Sequence, residues 1–219
     1  MKIFALDSSS QVLVLCYADE QNIFTFTYKG LEKHASKIAP LVKGFLDCIN
    51  KPIEEIDYFG CGIGPGSLTG LRIGIAFIQG MACSLSKKVI PVISSELIAK
   101  NFSYHQGEIV VVKKAREGFV YFASYRQGEE IFSPTVAEIE VAKDYVTNSK
   151  DPIIAGDAKD YFEGFGIICS DELESIKGEV LAAKVLMQAQ SKIFIEPEAL
   201  EPLYLQKSIA EMNFEKKRH

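Results

Sequence analysis

The sequence predicts a mixed α/β protein, because strands open the chain, helices follow between further strands, and the same order then begins again. Three strands come in quick succession, at Lys2–Leu6, Val12–Tyr17 and Ile23–Tyr28. The links between them are turn-sized, and short links favour antiparallel neighbours. A helix, a strand and a second helix come next, and helical crossovers place strands in parallel. The prediction is a mixed sheet, antiparallel at its start and parallel afterwards.

The rest of the first half supports this order. A single apolar stripe with the period of a helix marks the first helix, at Ile38, Leu41, Val42, Phe45, Leu46 and Ile49. Pro40 lies within that stripe, and we expect it to kink the helix or shift its start. The elements predicted after it are a strand at Asp57–Ile63, a helix at Leu71–Leu85, a strand at Lys88–Ile93 and a short helix at Ser95–Phe102.

After about residue 103 the pattern of strands and helices starts again. The predicted strands are Ile109–Val112, Phe119–Tyr125, Glu130–Ala137 and Ile153–Ala155, and the predicted helices are Ala142–Thr147 and Glu179–Gln190. We therefore expect two lobes, an N-terminal one over 1–103 and a smaller second one over 104–219. The last segment begins with two prolines, and we predict a C-terminal helix there that packs back on the first lobe.

Composition excludes several classes of protein. The 219 residues carry a formal net charge of −5 and are 47% hydrophobic, which argues against a disordered chain and against a coat for nucleic acid. No apolar run approaches the roughly 18 residues that span a bilayer, and the first residues lack a secretory signal. The five cysteines are widely spaced, and four lie in apolar periodic segments, as reduced buried thiols do. We expect a cytoplasmic protein without a membrane anchor or a zinc site.

The strongest motif is the run Gly64–Arg72, which lies between a predicted strand and a predicted helix. Free N–H groups at a helix start attract anions, and Gly64, Gly66 and Gly70 permit close approach of a ligand. Either Ser67 or Thr69 can cap the helix. The spacing is not that of a P-loop. A tight loop that only lets the strand and helix pack is the alternative.

A second motif closes the first strand, at Asp7-Ser8-Ser9-Ser10. An acid at a strand end, followed by hydroxyls, can hold a phosphate bound to a metal ion. The alternative is a turn in which Asp7 binds its own backbone. Together with the glycine run it yields a candidate vestigial phosphate-binding set: Asp7, Ser8, Ser9, Gly64, Gly66, Ser67, Thr69 and Gly70.

Basic and aromatic residues also alternate around one predicted hairpin. Lys113-Lys114-Ala115-Arg116 and Arg126 form a positive patch, with Phe119, Tyr121 and Tyr125 between them. Such a pattern can bind RNA. A hairpin with one buried aromatic face and one solvated face is the more common origin of the pattern.

These residues together resemble one known family. The chain resembles the TsaB (YeaZ) family, bacterial partner proteins in threonylcarbamoyladenosine modification of tRNA. The matching pieces are Asp7-Ser8-Ser9, His34-Ala35-Ser36, the run Gly64–Gly74, Ala115-Arg116, Val120-Tyr121, Gly156-Asp157 and Pro202-Leu203-Tyr204. The resemblance implies an actin-like ATPase (ribonuclease H-like) fold of two related lobes. Lys114 departs from the family, which usually has Asp at that position.

The resemblance also implies a role without catalysis of its own. The catalytic relative TsaD holds metal and nucleotide through paired histidines, whereas the equivalent stretch here, Pro91–Leu97, has none. It implies a partner of TsaD and TsaE that needs no cofactor. A helix pair that awaits a partner exposes apolar surface, which often self-associates, so we expect a homodimer when the chain is alone. The net charge of −5 predicts tRNA contact only through the complex. The expected interface residues are His34, Ile38, Leu41, Leu71, Arg72 and Ile75. An active ATP-dependent kinase or transferase, with nucleotide in the cleft between the lobes, and a protease acting on TsaD are the alternatives.

Overall fold

The computed structural model describes residues 1–30 and 34–205, and in the first helix it describes side chains from Lys37 onward. Two five-stranded sheets make up the core of the protein. The strands are β1 Ile3–Asp7, β2 Val12–Ala18, β3 Ile23–Lys29, β4 Tyr58–Gly64, β5 Lys88–Ile93, β6 Ile109–Lys114, β7 Phe119–Arg126, β8 Glu129–Glu138, β9 Ile153–Ala155 and β10 Ile167–Ile168. The α-helices are α1 His34–Cys48, α2 Leu68–Ser84, α3 Ser94–Ala99, α4 Ile139–Thr147 and α5 Gly178–Gln190.

The two sheets have the same topology. In the first sheet the order is β3-β2-β1-β4-β5, and in the second, read in the same direction, it is β8-β7-β6-β9-β10. In each sheet the first three strands pair antiparallel, while the fourth and fifth pair parallel. The predicted fold class, two mixed sheets flanked by helices, is confirmed.

Three apolar clusters hold these layers together. One face of the first sheet packs under α1 and α2, around Phe4, Phe45 and Phe59. The opposite face packs against α5 and against the second sheet, so this cluster contains residues of both sheets. A smaller cluster lies between the outer face of the second sheet and α4. The helix α5 packs on β1, β2, β3 and β5 of the first sheet, and α3 contacts both α5 and the strands β6 and β7, so apolar burial joins the two lobes.

Several boundaries differ from the predictions. The helix α2 begins at Leu68, three residues early, because Ser67 caps it by accepting a hydrogen bond from the Gly70 N–H at 3.2 Å. The helix α1 runs through Pro40 and does not begin after it, so the expected shift in its start is wrong. The strand β10 was not predicted, because two residues are too short for a periodic signal. The predicted C-terminal helix falls largely on 206–219, outside the described residues.

The cysteines are free thiols, but they are not all buried. Burial of Cys16, Cys61 and Cys169 agrees with the prediction, whereas Cys48 and Cys83 lie on the exposed sides of α1 and α2. Amphipathic helices expose such positions whenever the apolar stripe faces the sheet. No helix within residues 1–30 and 34–205 is long and apolar enough to cross a membrane.

Candidate functional site

The turn that follows β1 is buried, and its acid is already occupied. Asp7 is fully buried, as are Ser8 and Ser9. The Ser9 N–H donates to Asp7 Oδ1 at 2.8 Å, and the Ser94 hydroxyl donates to Asp7 Oδ2 at 2.6 Å. Ser94 Oγ in turn accepts a hydrogen bond from the Gly64 N–H at 3.0 Å. Both carboxylate oxygens thus bind groups of the chain itself.

The glycine run packs directly onto this turn. The Ser67 N–H donates to the Ser9 carbonyl at 2.8 Å, and the Ser8 hydroxyl donates to the Gly70 carbonyl at 2.9 Å. A Cβ at Gly66 would lie 2.1 Å from the Ser9 carbonyl oxygen, and one at Gly70 would lie 2.2 Å from that of Ser8. These glycines therefore permit close approach of the protein's own backbone.

Seven of the eight residues in the predicted phosphate-binding set come together in this way. Only Thr69, which is exposed at the start of α2, lies outside the contact network described here. The Ser8 hydroxyl and the Ser67 N–H join the turn to the helix and the loop, and the Ser67 hydroxyl caps the helix. As arranged, the set stabilises the junction of strand and helix.

Lys113, a residue of the second lobe, also contacts the turn that follows β1. Lys113 is 2% exposed, and its Nζ donates to the Ser9 carbonyl oxygen and to Ser9 Oγ, each at 3.2 Å. Lys113 therefore does not belong to the positive patch that the sequence predicts at this hairpin, because its side chain is buried. Because Lys113 continues the alternation of Ile109 and Val111 along β6, its burial could have been predicted from strand period.

The rest of that patch separates into different environments. Arg126 donates to Glu108 Oε1 at 2.7 Å, and the Arg116 guanidinium lies over the Phe119 ring at 3.7 Å. Tyr125 is buried, and burial raises its pKa. The predicted hairpin exists as β6 and β7, but its cations and aromatic rings do not form one continuous surface.

A cleft of about 380 Å³ opens between the lobes, beside Lys113. Its lining residues are Ser10, Gln11, Val12, Lys29, Lys113, Lys114, Asp157, Lys159, Asp160, Asp171, Glu174 and Ser175. Lys159 is nearly buried and pairs with Asp171 at 2.5 Å and with Glu174 at 2.9 Å. The hydrogen bond from Lys159 lowers the pKa of Asp171.

The predicted partner surface is only partly exposed. Ile38, Leu71 and Ile75 are buried against the first sheet, and Leu41 is half-buried beside them. These residues repeat at helical spacing on α1 and on α2 because the apolar face of each helix packs on the protein's own core. From the sequence alone, such a face cannot be distinguished from a partner interface. Arg72 is exposed. His34 begins α1, but its side chain is outside the described residues.

The exposed side of the helix pair carries small residues. Thr69, Arg72, Ala76 and Gly80 recur along α2 at helical spacing and are exposed. A Cβ added at Gly80, or at Gly44 on α1, would meet nothing within 4 Å. The backbone of both helices is therefore accessible to a neighbour at these positions.

The stretch Pro91–Leu97 forms the end of β5 and most of α3. Ser95 Oγ lies 2.8 Å from the Tyr125 hydroxyl, so this stretch links the two lobes. Within residues 1–30 and 34–205 there is no group of three or more His, Cys, Asp or Glu side chains that could hold a metal ion.

Comparison with known proteins identifies relatives across most of the chain. The model of the family TsaD: tRNA N6-adenosine threonylcarbamoyltransferase matches residues 28–159, more than half of the chain. The tRNA threonylcarbamoyladenosine biosynthesis protein TsaB of Escherichia coli is 24% identical over 96% of each chain. That of Haemophilus influenzae is 29% identical over 68% of this chain and 69% of its own.

A solved structure has the same fold. The Pseudomonas aeruginosa protein described as uncharacterized, with similarity to peptidase YEAZ, superposes with a TM-score of 0.81 and 25% identity, covering 94% of this chain and 99% of that one. A second structure, YeaZ from the same organism, gives a TM-score of 0.77 at 24% identity and covers 93% of this chain and 99% of that one. The chain belongs to the family of proteins related to TsaD, and within it to the TsaB (YeaZ) group.

Proposed function

We propose that this protein is a partner without catalytic activity of its own, which binds TsaD and supports transfer of threonylcarbamoyl to the adenosine beside the anticodon of tRNA. The relatives named tRNA threonylcarbamoyladenosine biosynthesis protein TsaB support a role in that pathway. In this proposal TsaE joins the same complex, and tRNA is contacted only through the complex.

The observation that carries this proposal is the closed turn after β1. A carboxylate that holds a metal-bound phosphate needs free oxygens directed at the ligand. In Asp7 both oxygens accept short hydrogen bonds from the chain, and the side chain is fully buried. The glycine loop packs against the same turn through Gly66 and Gly70, and its Ser67 N–H is used on the Ser9 carbonyl.

The exposed side of α1 and α2 supports a partner surface. Ala76, Gly80 and Gly44 leave the two helix backbones uncovered, and small residues let a partner helix approach closely. Arg72 lies on the same side of α2 and offers a charged donor. We place the centre of the TsaD interface on this exposed side, since Ile38, Leu71 and Ile75 are committed to the core.

The alternatives of a kinase or transferase and of a protease find less support. The matching family model is named for a transferase. In this chain, however, Asp7 at the end of β1 is buried, and both of its carboxylate oxygens accept hydrogen bonds from the chain. For a cysteine protease, the nucleophile needs a lowered thiol pKa. Burial raises the pKa of Cys16 and of Cys61, which is the opposite shift.

The proposal is tested by placing a long charged side chain on the exposed face of α2. Ala76→Arg is expected to weaken calorimetric binding to purified TsaD by at least tenfold and to lower threonylcarbamoyladenosine formation in a reconstituted reaction in parallel. Ala183→Arg is the matched control, because Ala183 is exposed on α5, which is a different helix. Circular dichroism should be the same for both variants, since neither position is buried.

Two results would contradict the proposal. One is unchanged TsaD affinity in Ala76→Arg together with wild-type activity. The other is micromolar, magnesium-dependent binding and turnover of ATP by the isolated chain, which would favour the kinase or transferase alternative.

A further inference from the structure

We propose that a groove on the outer side of the second lobe is a docking site for a basic segment of a partner protein, and that an arginine of that segment lies on the Tyr161 ring beside Glu138. The residues that line this second-lobe groove are Gly118, Phe119, Glu138, Ile139, Glu140, Lys143 and Tyr161. None of these lines the cleft between the lobes, and none belongs to α1 or α2. The inference therefore does not rest on the proposed surface for TsaD.

Three segments of the second lobe form the groove. They are the turn between β6 and β7, the first turn of α4 and the 3-10 turn Lys159–Phe162. The Ile139 N–H donates to the Gly118 carbonyl at 3.1 Å, which fixes the start of α4 on the hairpin turn. A Cβ at Gly118 would meet nothing within 4 Å, so the groove is open at this end. Its volume of about 480 Å³ is within the range of specific binding sites.

The aromatic rings at this groove already hold cations of the chain itself. The Arg116 guanidinium lies 3.7 Å from the centroid of the Phe119 ring, and Lys143 Nζ lies 5.3 Å from that of Phe165. Tyr161 is 50% exposed, and no lysine or arginine of the described residues lies over its ring. Since the face of an aromatic ring attracts a cation, Tyr161 is the ring on which a cation from another molecule can bind.

The charges of the groove complement such a cation. Of the three charged lining residues, Glu140 pairs with Lys143 at 2.9 Å, which leaves Glu138 as the excess charge. Glu138 is exposed and has no ion-pair partner among residues 1–30 and 34–205, and the same holds for Glu117, which precedes Gly118 at the rim. A guanidinium fits best, because it can stack on a ring and also donate paired hydrogen bonds to a carboxylate.

The surroundings of the groove favour a protein segment as the occupant. The apolar surface continues past the groove to Phe165, which is 38% exposed. Aromatic residues and arginine are enriched at protein interfaces, and contiguous exposed apolar surface marks such interfaces. RNA fits less well, because the unpaired carboxylates of Glu117 and Glu138 repel phosphate groups.

The experiment measures the fluorescence anisotropy of a labelled hexa-arginine peptide titrated with the full chain at constant ionic strength. We expect saturable binding. Glu138→Gln and Tyr161→Leu should each weaken it by about threefold or more, because one removes the carboxylate charge and the other the ring. Glu129→Gln and Tyr104→Leu are the matched controls, because they are the same substitutions at exposed positions that do not line the groove, and they should leave the affinity unchanged.

A labelled hexamer of uridine RNA, titrated in the same way, tests the other class of macromolecule. We expect it to bind at least about tenfold more weakly than the peptide, because its phosphates meet an acidic groove. Equal or tighter binding of the RNA overturns the proposal, and so does an absence of saturable peptide binding. It is also overturned if Glu138→Gln and Tyr161→Leu bind the peptide like the wild type, or if the controls lose as much affinity. If one of the two groove variants does not fold, as judged by circular dichroism, the other decides by the same criterion.

Discussion

The two lobes share one strand order, but the turns of their first hairpins lie in different surroundings. In the first lobe the turn after β1 is buried under the glycine loop. In the second lobe the turn between β6 and β7 is exposed, and a Cβ at Gly118 would meet nothing within 4 Å. A glycine in the left-handed region follows or ends the fourth strand in both lobes, with φ of 104° at Gly64 and 106° at Gly156.

What differs is the segment that follows this glycine. In the first lobe it leads into α2, which has 17 residues, and in the second into a 3-10 turn of four residues, Lys159–Phe162. In the first lobe Gly70 and Gly74 of this helix lie against Ser8, whereas in the second lobe Asp157, Lys159 and Asp160 line the cleft. The same topology therefore ends in a sealed junction in one lobe and in the wall of an open cleft in the other.

The largest effect is expected where the first-lobe turn is sealed. Gly70→Ala should lower the free energy of unfolding by about 3 kcal/mol, because its Cβ meets the Ser8 backbone and neither element can move freely. The measurement is urea unfolding followed by circular dichroism. Gly80→Ala is the control, since it is also helical but unobstructed, and it should raise stability by about 1 kcal/mol. Equal effects of the two substitutions would mean that the turn is not sealed by packing.

A smaller effect is expected from removing the hydroxyl that binds Asp7. Ser94→Ala leaves a buried carboxylate oxygen and the Gly64 N–H without their partner, and the expected cost is about 2 kcal/mol. Ser84→Ala, at an exposed serine, should cost less than about 0.5 kcal/mol. If Ser94→Ala is as stable as the control, Asp7 has access to another donor and the closed turn would no longer support an inert role.

The smallest effect is expected at the open turn of the second lobe. Gly118 has a φ of 78°, which Asn tolerates, and its surroundings are empty. Gly118→Asn should therefore change the free energy of unfolding by no more than about 0.5 kcal/mol in the same urea experiment. A loss as large as that of Gly70→Ala would show that the two turns are equally constrained, which would remove the contrast between the lobes.

Local pattern determined most of the architecture. The apolar period of α1 and the short links between β1, β2 and β3 are local, and each predicted the element found. The sequence also offered Ser67 as a cap of α2, although the helix begins three residues before the predicted start. The resemblance to the TsaB family rested on the same local runs and is confirmed by the relatives.

Tertiary structure alone decided how those residues are used. The stripe of Ile38, Leu71 and Ile75 faces the protein's own sheet, and the glycine loop faces Ser8 and Ser9. Lys113 reaches Ser9 across 104 positions of sequence. A periodic pattern states which side of an element is apolar or polar, but not what covers that side. Whether a ligand, a partner or the protein's own core covers that side depends on contacts between residues far apart in the chain. Local propensity does not encode those contacts.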